Sequence, residues 1–181
     1  ASCLDAGCGE GYYLRQLAAA TSDLKTLALL GLDISKWAIL SAAKQDQRPN
    51  WVVGSNANLP VLPGTLDRVL CMFGFPVYAE FARVLKPDGQ LLQVDAGPEH
   101  LRELREIIYP TLKPERTADV QAPEGVTHLS TETVRYPLNL TGPEQIADLL
   151  AMTPHLYRPS ADGRAKAAAL TALPVTVEVR L

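Results

Sequence analysis

The stretch Cys3-Leu4-Asp5-Ala6-Gly7-Cys8-Gly9-Glu10-Gly11 constrains this chain more than any other, because it sets three glycines at every second position between a short apolar run and a helical pattern beginning at Tyr12 and Tyr13. That order predicts a strand, a tight turn and a helix start. Glycine suits such a turn because it tolerates positive φ and has no Cβ to keep a ligand off the backbone. A dinucleotide fingerprint needs two residues between its second and third glycines, whereas Glu10 alone separates Gly9 from Gly11. A P-loop needs Lys and then Ser or Thr after its last glycine, where Tyr12 and Tyr13 stand. Both phosphate readings weaken, and an acidic Asp5 ahead of the glycines is a poor neighbour for pyrophosphate.

Asp5 and Glu10 suit instead a ligand that carries an ammonium and a sulfonium. Asp5, Gly7, Gly9 and Gly11 together resemble motif I of the class I methyltransferases, which implies S-adenosylmethionine as the ligand. A further test is an acidic residue at the end of the next strand, about 20 residues on, to hold ribose hydroxyls. Leu29-Leu30-Gly31-Leu32-Asp33 supplies it.

With 181 residues, 47% hydrophobic and 20% charged, the chain reads as one globular domain, 1–181, with enough length for a real core. A net charge of −3 and a pI of about 5.6 describe no broadly basic surface, so a nucleic-acid contact has to be local or assisted by a part outside this chain. The three cysteines form no CxxC pair and no even framework, which fits a reducing cytoplasm, and no apolar run is long enough to span a membrane. The first strand begins almost at Ala1, where class I methyltransferase domains usually carry a preceding helix, so the expectation is a fragment of a longer protein.

After the loop, Leu14, Leu17, Ala18 and Thr21 recur at helical spacing, and a second strand runs from about Thr26 to Asp33. Ser35 is placed to cap a helix with Ala38, Ile39, Ala42 and Ala43 as its buried stripe. Trp51 to Gly54 is a third strand, and Asn56 and Ala57 follow it where a side-chain amide and a backbone N–H suit an adenine. Leu66 to Met72 is a fourth strand, apolar because both faces of a parallel sheet are covered. Its carboxyl end carries Phe73-Gly74-Phe75-Pro76, a platform for a flat base. A helix from about Val77 to Leu85, a turn at Lys86-Pro87-Asp88-Gly89 and a fifth strand, Gln90 to Asp95, come next. Gly97 and Pro98 form a turn that opens a helix through Leu104, Ile107, Ile108 and Tyr109 and sets Glu99 and His100 beside the strand's carboxyl edge. Pro110 to Gly125, with three prolines, reads as a connecting loop of lid length. Glu132 to Tyr136 is another strand, Thr141 to about Ala151 a short helix entered through Gly142-Pro143, and Met152 to Tyr157 a loop. A helix from about Asp162 to Leu173 leads into the alternating strand Val175 to Val179. The resemblance gives these elements a fold class: α/β, Rossmann-like, with helices on both faces of a mostly parallel seven-stranded sheet whose last strand runs antiparallel.

A narrower resemblance rests on Asp5 to Tyr13, Gly31-Leu32-Asp33-Ile34-Ser35-Lys36, Ala96 to Leu101 with the trailing Ile108-Tyr109, and Met152-Thr153-Pro154. Together these resemble the bacterial large-subunit (23S) ribosomal RNA guanine-N1 methyltransferases over nearly the whole chain. The resemblance implies methyl transfer from S-adenosylmethionine to N1 of a guanine in rRNA, in the cytoplasm and away from membranes, and leaves a homodimer open. It assigns Asp5, Gly7, Gly9, Glu10, Gly11, Asp33, Ile34, Asn56, Ala57 and His100 to the cofactor, while Phe73 and Phe75, read from the residues themselves, are the aromatics placed to receive the target base. That family carries a zinc-binding module ahead of this domain, and none of its cysteine ligands stands in this chain, so zinc belongs only to the missing N-terminal part. The stretch Phe73 to Pro76 also departs from the family pattern. Guanine N1 carries a weakly acidic proton that something must accept, and Asp95, Glu99 and His100 are the titratable candidates, unassigned among themselves. Two other functions share the glycine loop and Asp33: a methyltransferase acting on a small molecule, and a cofactor-binding module without catalysis.

Overall fold

The computed structural model describes residues 1–21, 26–111, 122–153 and 160–181. These fall into two compact units, one built on Ala1–Asp95 with the later loop up to Ser130, the other on Ala96 to Thr111 and Thr131–Leu181.

The first unit is a parallel sheet of five strands: β1 (Ser2–Ala6), β2 (Ala28–Asp33), β3 (Asn50–Val53), β4 (Leu66–Met72) and β5 (Leu85–Ala96), in the spatial order β3-β2-β1-β4-β5. Strand alternation sends Leu4 and Ala6 of β1 to one face, where they meet Leu32, Val69 and Cys71 of the sheet and Phe81 and Val84 of helix α3 (Tyr78–Val84). Cys3 goes to the other face, against Leu14 and Ala18 of helix α1 (Tyr12–Ala20). Asp5 shares that parity. Helix α2 (Lys36–Gln45) opens on Ser35, whose hydroxyl accepts from Ala38 N–H at 3.2 Å, as its position predicts. The strand order reverses direction between β1 and β4, and ligands of open α/β sheets bind at the carboxyl ends beside such a reversal. Gly7, Asp33, Phe73 and Asp95 stand at or just past those ends.

The predicted turn at Lys86-Pro87-Asp88-Gly89 lies inside β5. Leu66 pairs with Leu85 and Arg68 with Gln90, so β4 advances two residues while β5 advances five, and the extra residues bulge out of the ladder. The surrounding stretch works as a staple. Lys86 Nζ pairs with Asp67 at 2.7 Å, while Arg83 donates to Val61 O at 2.9 Å and Leu59 O at 3.0 Å, tying down the loop after Asn56.

The second unit pairs β6 (Thr133–Thr141) with β7 (Ala172–Arg180) in continuous antiparallel register from Thr133↔Arg180 to Thr141↔Ala172. Both strands are longer than predicted: the ladder runs through Pro137 and Pro174, which end an alternation pattern on paper, and Pro137 is tolerated because β6 is the last strand in the sheet order. Helices α4 (Arg102–Ile108), α5 (Pro143–Met152) and α6 (Ala161–Ala168) pack Leu104, Ile108, Ile146 and Ala167 onto Leu140, Leu173 and Val175. Helix α6 ends earlier than the predicted Leu173 because β7 claims the residues from Ala172 onward. Most of the predicted Pro110–Gly125 lid and the loop beyond Thr153, with Pro154, lie outside the described residues. Among the described residues no helix is long and apolar enough to cross a membrane.

Candidate active site

All three loop glycines have positive φ, 89° at Gly7, 54° at Gly9 and 75° at Gly11, which is the backbone the spacing predicts. Their surroundings differ. A Cβ on Gly9 meets nothing within 4 Å, so this position opens to a ligand, whereas a Cβ on Gly11 falls 2.1 Å from Trp51 Cη2. Gly11 is therefore a packing glycine as well as a turn glycine. Trp51, anchored by its indole N–H on Asp46 O at 2.7 Å, also covers Gly31, whose Cβ position lies 2.4 Å from the ring. Trp51 was not among the predicted site residues; a glycine inside a strand is the signal of such a close approach.

Asp33 joins the loop to the second strand. Its Oδ2 accepts from Gly9 N–H at 2.8 Å and its Oδ1 from Ser35 N–H at 2.8 Å, while Leu32 O accepts from Gly7 and Cys8 N–H at 2.8 and 3.0 Å. Each Asp33 oxygen retains acceptor capacity for a further donor. Asp5 is fully buried and neither of its oxygens has a partner among the described residues. Burial, with the Asp33 charge adding to it, pushes Asp5 up to about 7. Buried carboxyls are nearly always paired, so this one is short of a donor that the described residues do not provide.

Asn56 shows a second shortage. Its Nδ2 faces two acceptors, Phe75 O at 3.1 Å and Ala6 O at 3.5 Å, which orients the amide and leaves the buried Oδ1 without a donor among the described residues. An exocyclic amine is such a donor. Ala57 N–H is taken up by Ser55 Oγ at 3.2 Å. Ile34, 78% exposed beside Asp33, offers an apolar surface to a flat ligand. Glu10 turns its carboxylate to α2, where Ser41 and Gln45 donate to it at 3.1 and 3.5 Å.

At the end of β4, Phe73 holds φ 56° and donates its N–H to Val94 O at 2.8 Å. A non-glycine residue in this region stores about 1–2 kcal/mol of strain, and such strain gathers at ligand clamps. Phe73 and Phe75 are 49% and 89% exposed, so neither ring is core. The intervening Gly74 rests on Ala6 O and Cys71 Sγ, each 3.2 Å from its Cβ position. Asp95 is exposed at the end of β5 and accepts from Gln93 Nε2. The structure thus brings Asp5, Gly7, Gly9, Gly11, Asp33, Ile34, Asn56, Ala57, Phe73, Phe75 and Asp95 to the carboxyl edge of one sheet.

Glu99 and His100 belong to the second unit. Both sit in a turn built around Glu178, a residue that sequence reasoning missed and that nothing in its alternating strand marks out. Gly97 N–H donates to Glu178 O at 2.9 Å, Glu99 N–H to Glu178 Oε1 at 3.3 Å, and Glu178 N–H to His100 Nδ1 at 3.2 Å. Gly97 is glycine because a Cβ there falls 2.2 Å from Glu178 Oε1. An amide can only donate, so His100 Nδ1 is an acceptor and its proton sits on Nε2. Burial holds His100 below its ordinary value, favouring this neutral form. Glu99 is engaged by Arg102 at 2.7 Å.

Residues 3–89 match the methyltransferase domain family. With the strand order, the glycine loop and the acidic end of β2, the chain has the fold of the class I, S-adenosylmethionine-dependent methyltransferases. The solved structure of a "Putative Type II Methyltransferase from Anaeromyxobacter dehalogenans" shares the fold, with a TM-score of 0.60 at 20% identity over 99% of this chain and 86% of that one. Two curated relatives are more specific. The chain is 35% identical over 181 residues to the "Putative 23S rRNA (guanine-N(1)-)-methyltransferase YxjB" of Bacillus subtilis (strain 168), covering 97% of this chain and 64% of that protein. It is 34% identical over 185 residues to a protein of Micromonospora griseorubida with the same name less the final designation, covering 98% and 61%. The chain spans less than two thirds of the length of either relative.

Proposed function

We propose that this chain is the methyltransferase domain of a bacterial enzyme that methylates N1 of a guanine in large-subunit rRNA. One observation carries the reading. The likeness to the two named relatives runs through 97–98% of the chain, well past residue 89 where the general methyltransferase match stops, and so takes in the turn at Gly97 to His100.

The residues fit S-adenosylmethionine. The buried Asp5 carboxyl and Asn56 Oδ1, without partners among the described residues, ask for donors, and the cofactor has an ammonium and an adenine amine. When bound, it supplies a methyl group on a sulfonium. In this reading Gly7, Gly9 and Gly11 cradle the cofactor with Glu10 beside them, Asp33 takes the ribose hydroxyls, Ile34, Asn56 and Ala57 take the adenine, and His100 is a further residue assigned to the cofactor. Phe73 and Phe75 receive a base lifted out of folded RNA, since single-stranded bases are held by stacking on aromatic side chains. Catalysis comes mostly from holding N1 and the methyl donor in line. Residues 1–181 act as one domain, preceded in the parent protein by a zinc-binding module, and the enzyme works in the cytoplasm.

The test uses the full-length parent protein, labelled S-adenosylmethionine and unmodified large-subunit rRNA, with digested nucleosides read by mass spectrometry. Labelled N1-methylguanosine is expected. Cofactor binding with no labelled nucleoside overturns the rRNA reading and leaves a small-molecule substrate in its place.

A further inference from the structure

Tyr78, Gln93 and Asp95 form a hydrogen-bonded series. The Tyr78 hydroxyl, on the first turn of α3, donates to Gln93 Oε1 at 2.7 Å, and Gln93 Nε2 donates to Asp95 Oδ2. The first bond decides the second. A phenol donating to the amide oxygen fixes which end of the carboxamide faces Asp95, and only the NH2 end can hold a carboxylate. Gln93 and Asp95 are two apart on β5 and share a face, with Asp95 at the carboxyl end where ligands of such sheets bind.

That end also carries the aromatic turn. Phe73 N–H is bonded to Val94 O, the residue before Asp95. Burial and the nearby Asp95 charge push the Cys71 thiol, under Gly74, up to about 11. Asp95 is exposed, and among the described residues only its Oδ2 is held, which leaves Oδ1 and a second lone pair of Oδ2 for a ligand.

Resting on the guanine-N1 reading, we propose that Asp95 engages the Watson–Crick edge of the target guanine and takes its N1 proton, with Gln93 and Tyr78 as its positioning residues. Guanine presents two adjacent donors on that edge, N1–H and N2–H2, which a carboxylate accepts side by side. Adenine presents a bare N1 lone pair there, which a carboxylate repels, so the same group selects the base. The N1–H bond breaks and the proton passes to the Asp95 carboxylate. The electron pair left on N1 forms the bond to the methyl group, while the C–S pair returns to sulfur. The positive charge of the sulfonium and the negative charge of Asp95 are both discharged, and the products are a thioether, N1-methylguanine and a neutral Asp95. Asp95 shares a unit with Phe73 and Phe75, whereas Glu99 is engaged by Arg102 and His100 Nδ1 by Glu178 N–H.

The experiment compares wild type, Asp95→Asn, Gln93→Leu, Tyr78→Phe and the Gln93→Leu/Tyr78→Phe double variant, all in the full-length parent. Each is titrated with S-adenosylmethionine, then assayed at saturating cofactor for N1-methylguanosine formation against pH. Cofactor affinity is expected to stay at the wild-type value throughout. Asp95→Asn loses about 100-fold or more in kcat, the scale of a lost general base. Gln93→Leu and Tyr78→Phe each lose about tenfold, the scale of one hydrogen bond, and the double variant loses no more than Gln93→Leu alone because the two act in series. Their acid limb of the pH–rate profile moves to higher pH, which a merely structural defect does not produce. Wild-type kcat in Asp95→Asn, or wild-type rate and pH profile in Gln93→Leu, overturns the proposal while wild-type methylation upholds the guanine reading. Cofactor binding without guanine methylation by wild type overturns that reading and this proposal with it.

Discussion

Replacing Asp5 with Asn tests whether β1 keeps a carboxyl for a ligand at the expense of the fold. Asp5 is fully buried, receives no hydrogen bond from the described residues, and is pushed from 3.8 up to about 7 by burial and then by Asp33. The difference is about 3 pH units at about 1.4 kcal/mol each, so keeping Asp5 ionised in the folded protein costs about 4 kcal/mol. The native state holds this proton more tightly than the unfolded chain. The contribution to stability is therefore whole below pH 4, falls as pH rises toward 7 and is gone above it. Between pH 5 and 8 wild type should lose about 3 kcal/mol that Asp5→Asn does not lose. The variant also buries an amide NH2, a penalty of about 1–3 kcal/mol that is the same at every pH, so the slope and not the offset is the readout. Urea unfolding followed through Trp37 and Trp51 fluorescence across that range measures it. Saturating S-adenosylmethionine should reduce the slope in wild type, because a cation near Asp5 favours its ionised form. Binding at pH 7 should accordingly release protons, seen as a calorimetric heat that depends on the buffer. Parallel stability curves for the two proteins from pH 5 to 8 would refute the assignment of a strained, ligand-directed Asp5.

Gly11→Ala should destabilise the fold by about 2–4 kcal/mol in urea unfolding, since its methyl overlaps the Trp51 ring at positive φ, and Trp51→Leu should recover part of the loss. Asp33→Ala leaves Gly9 and Ser35 N–H without their acceptor and should weaken S-adenosylmethionine binding at least tenfold by calorimetric titration, about the value of one or two hydrogen bonds. Gly97→Ala meets the Glu178 carboxylate and should cost about 1–3 kcal/mol in thermal unfolding, with relief in the Gly97→Ala/Glu178→Ala double variant.

The first unit was readable because its signals are local. A glycine loop between a strand and a helix, an acid closing the next strand and a Ser at an N-cap are each decided within a few residues, and backbone geometry then carries them to the sheet edge. Boundaries failed where pairing overrode local pattern: β6 and β7 run through two prolines because each strand is completed by the other, and the Lys86–Gly89 turn hides as a bulge inside a longer ladder. The residue types gathered at the carboxyl edge of the sheet were readable, but not their wiring. That Asn56 reaches the carbonyls of Ala6 and Phe75, that Trp51 fills the space over Gly11 and Gly31, and that Gln93 holds Asp95 follow from groups 2 to 50 positions apart that the fold brings together. Glu178 is the clearest case. Its partners in that turn lie 78 to 81 positions earlier, and only the packing of β7 against the Gly97 turn gives that turn its glycine and His100 its tautomer. Sequence determined which chemistry this protein carries, because the types and spacing of loop residues limit what a loop can bind. Tertiary structure decided which of those groups are satisfied and which are left short of a partner, because burial and hydrogen bonding are properties of the assembled neighbourhood.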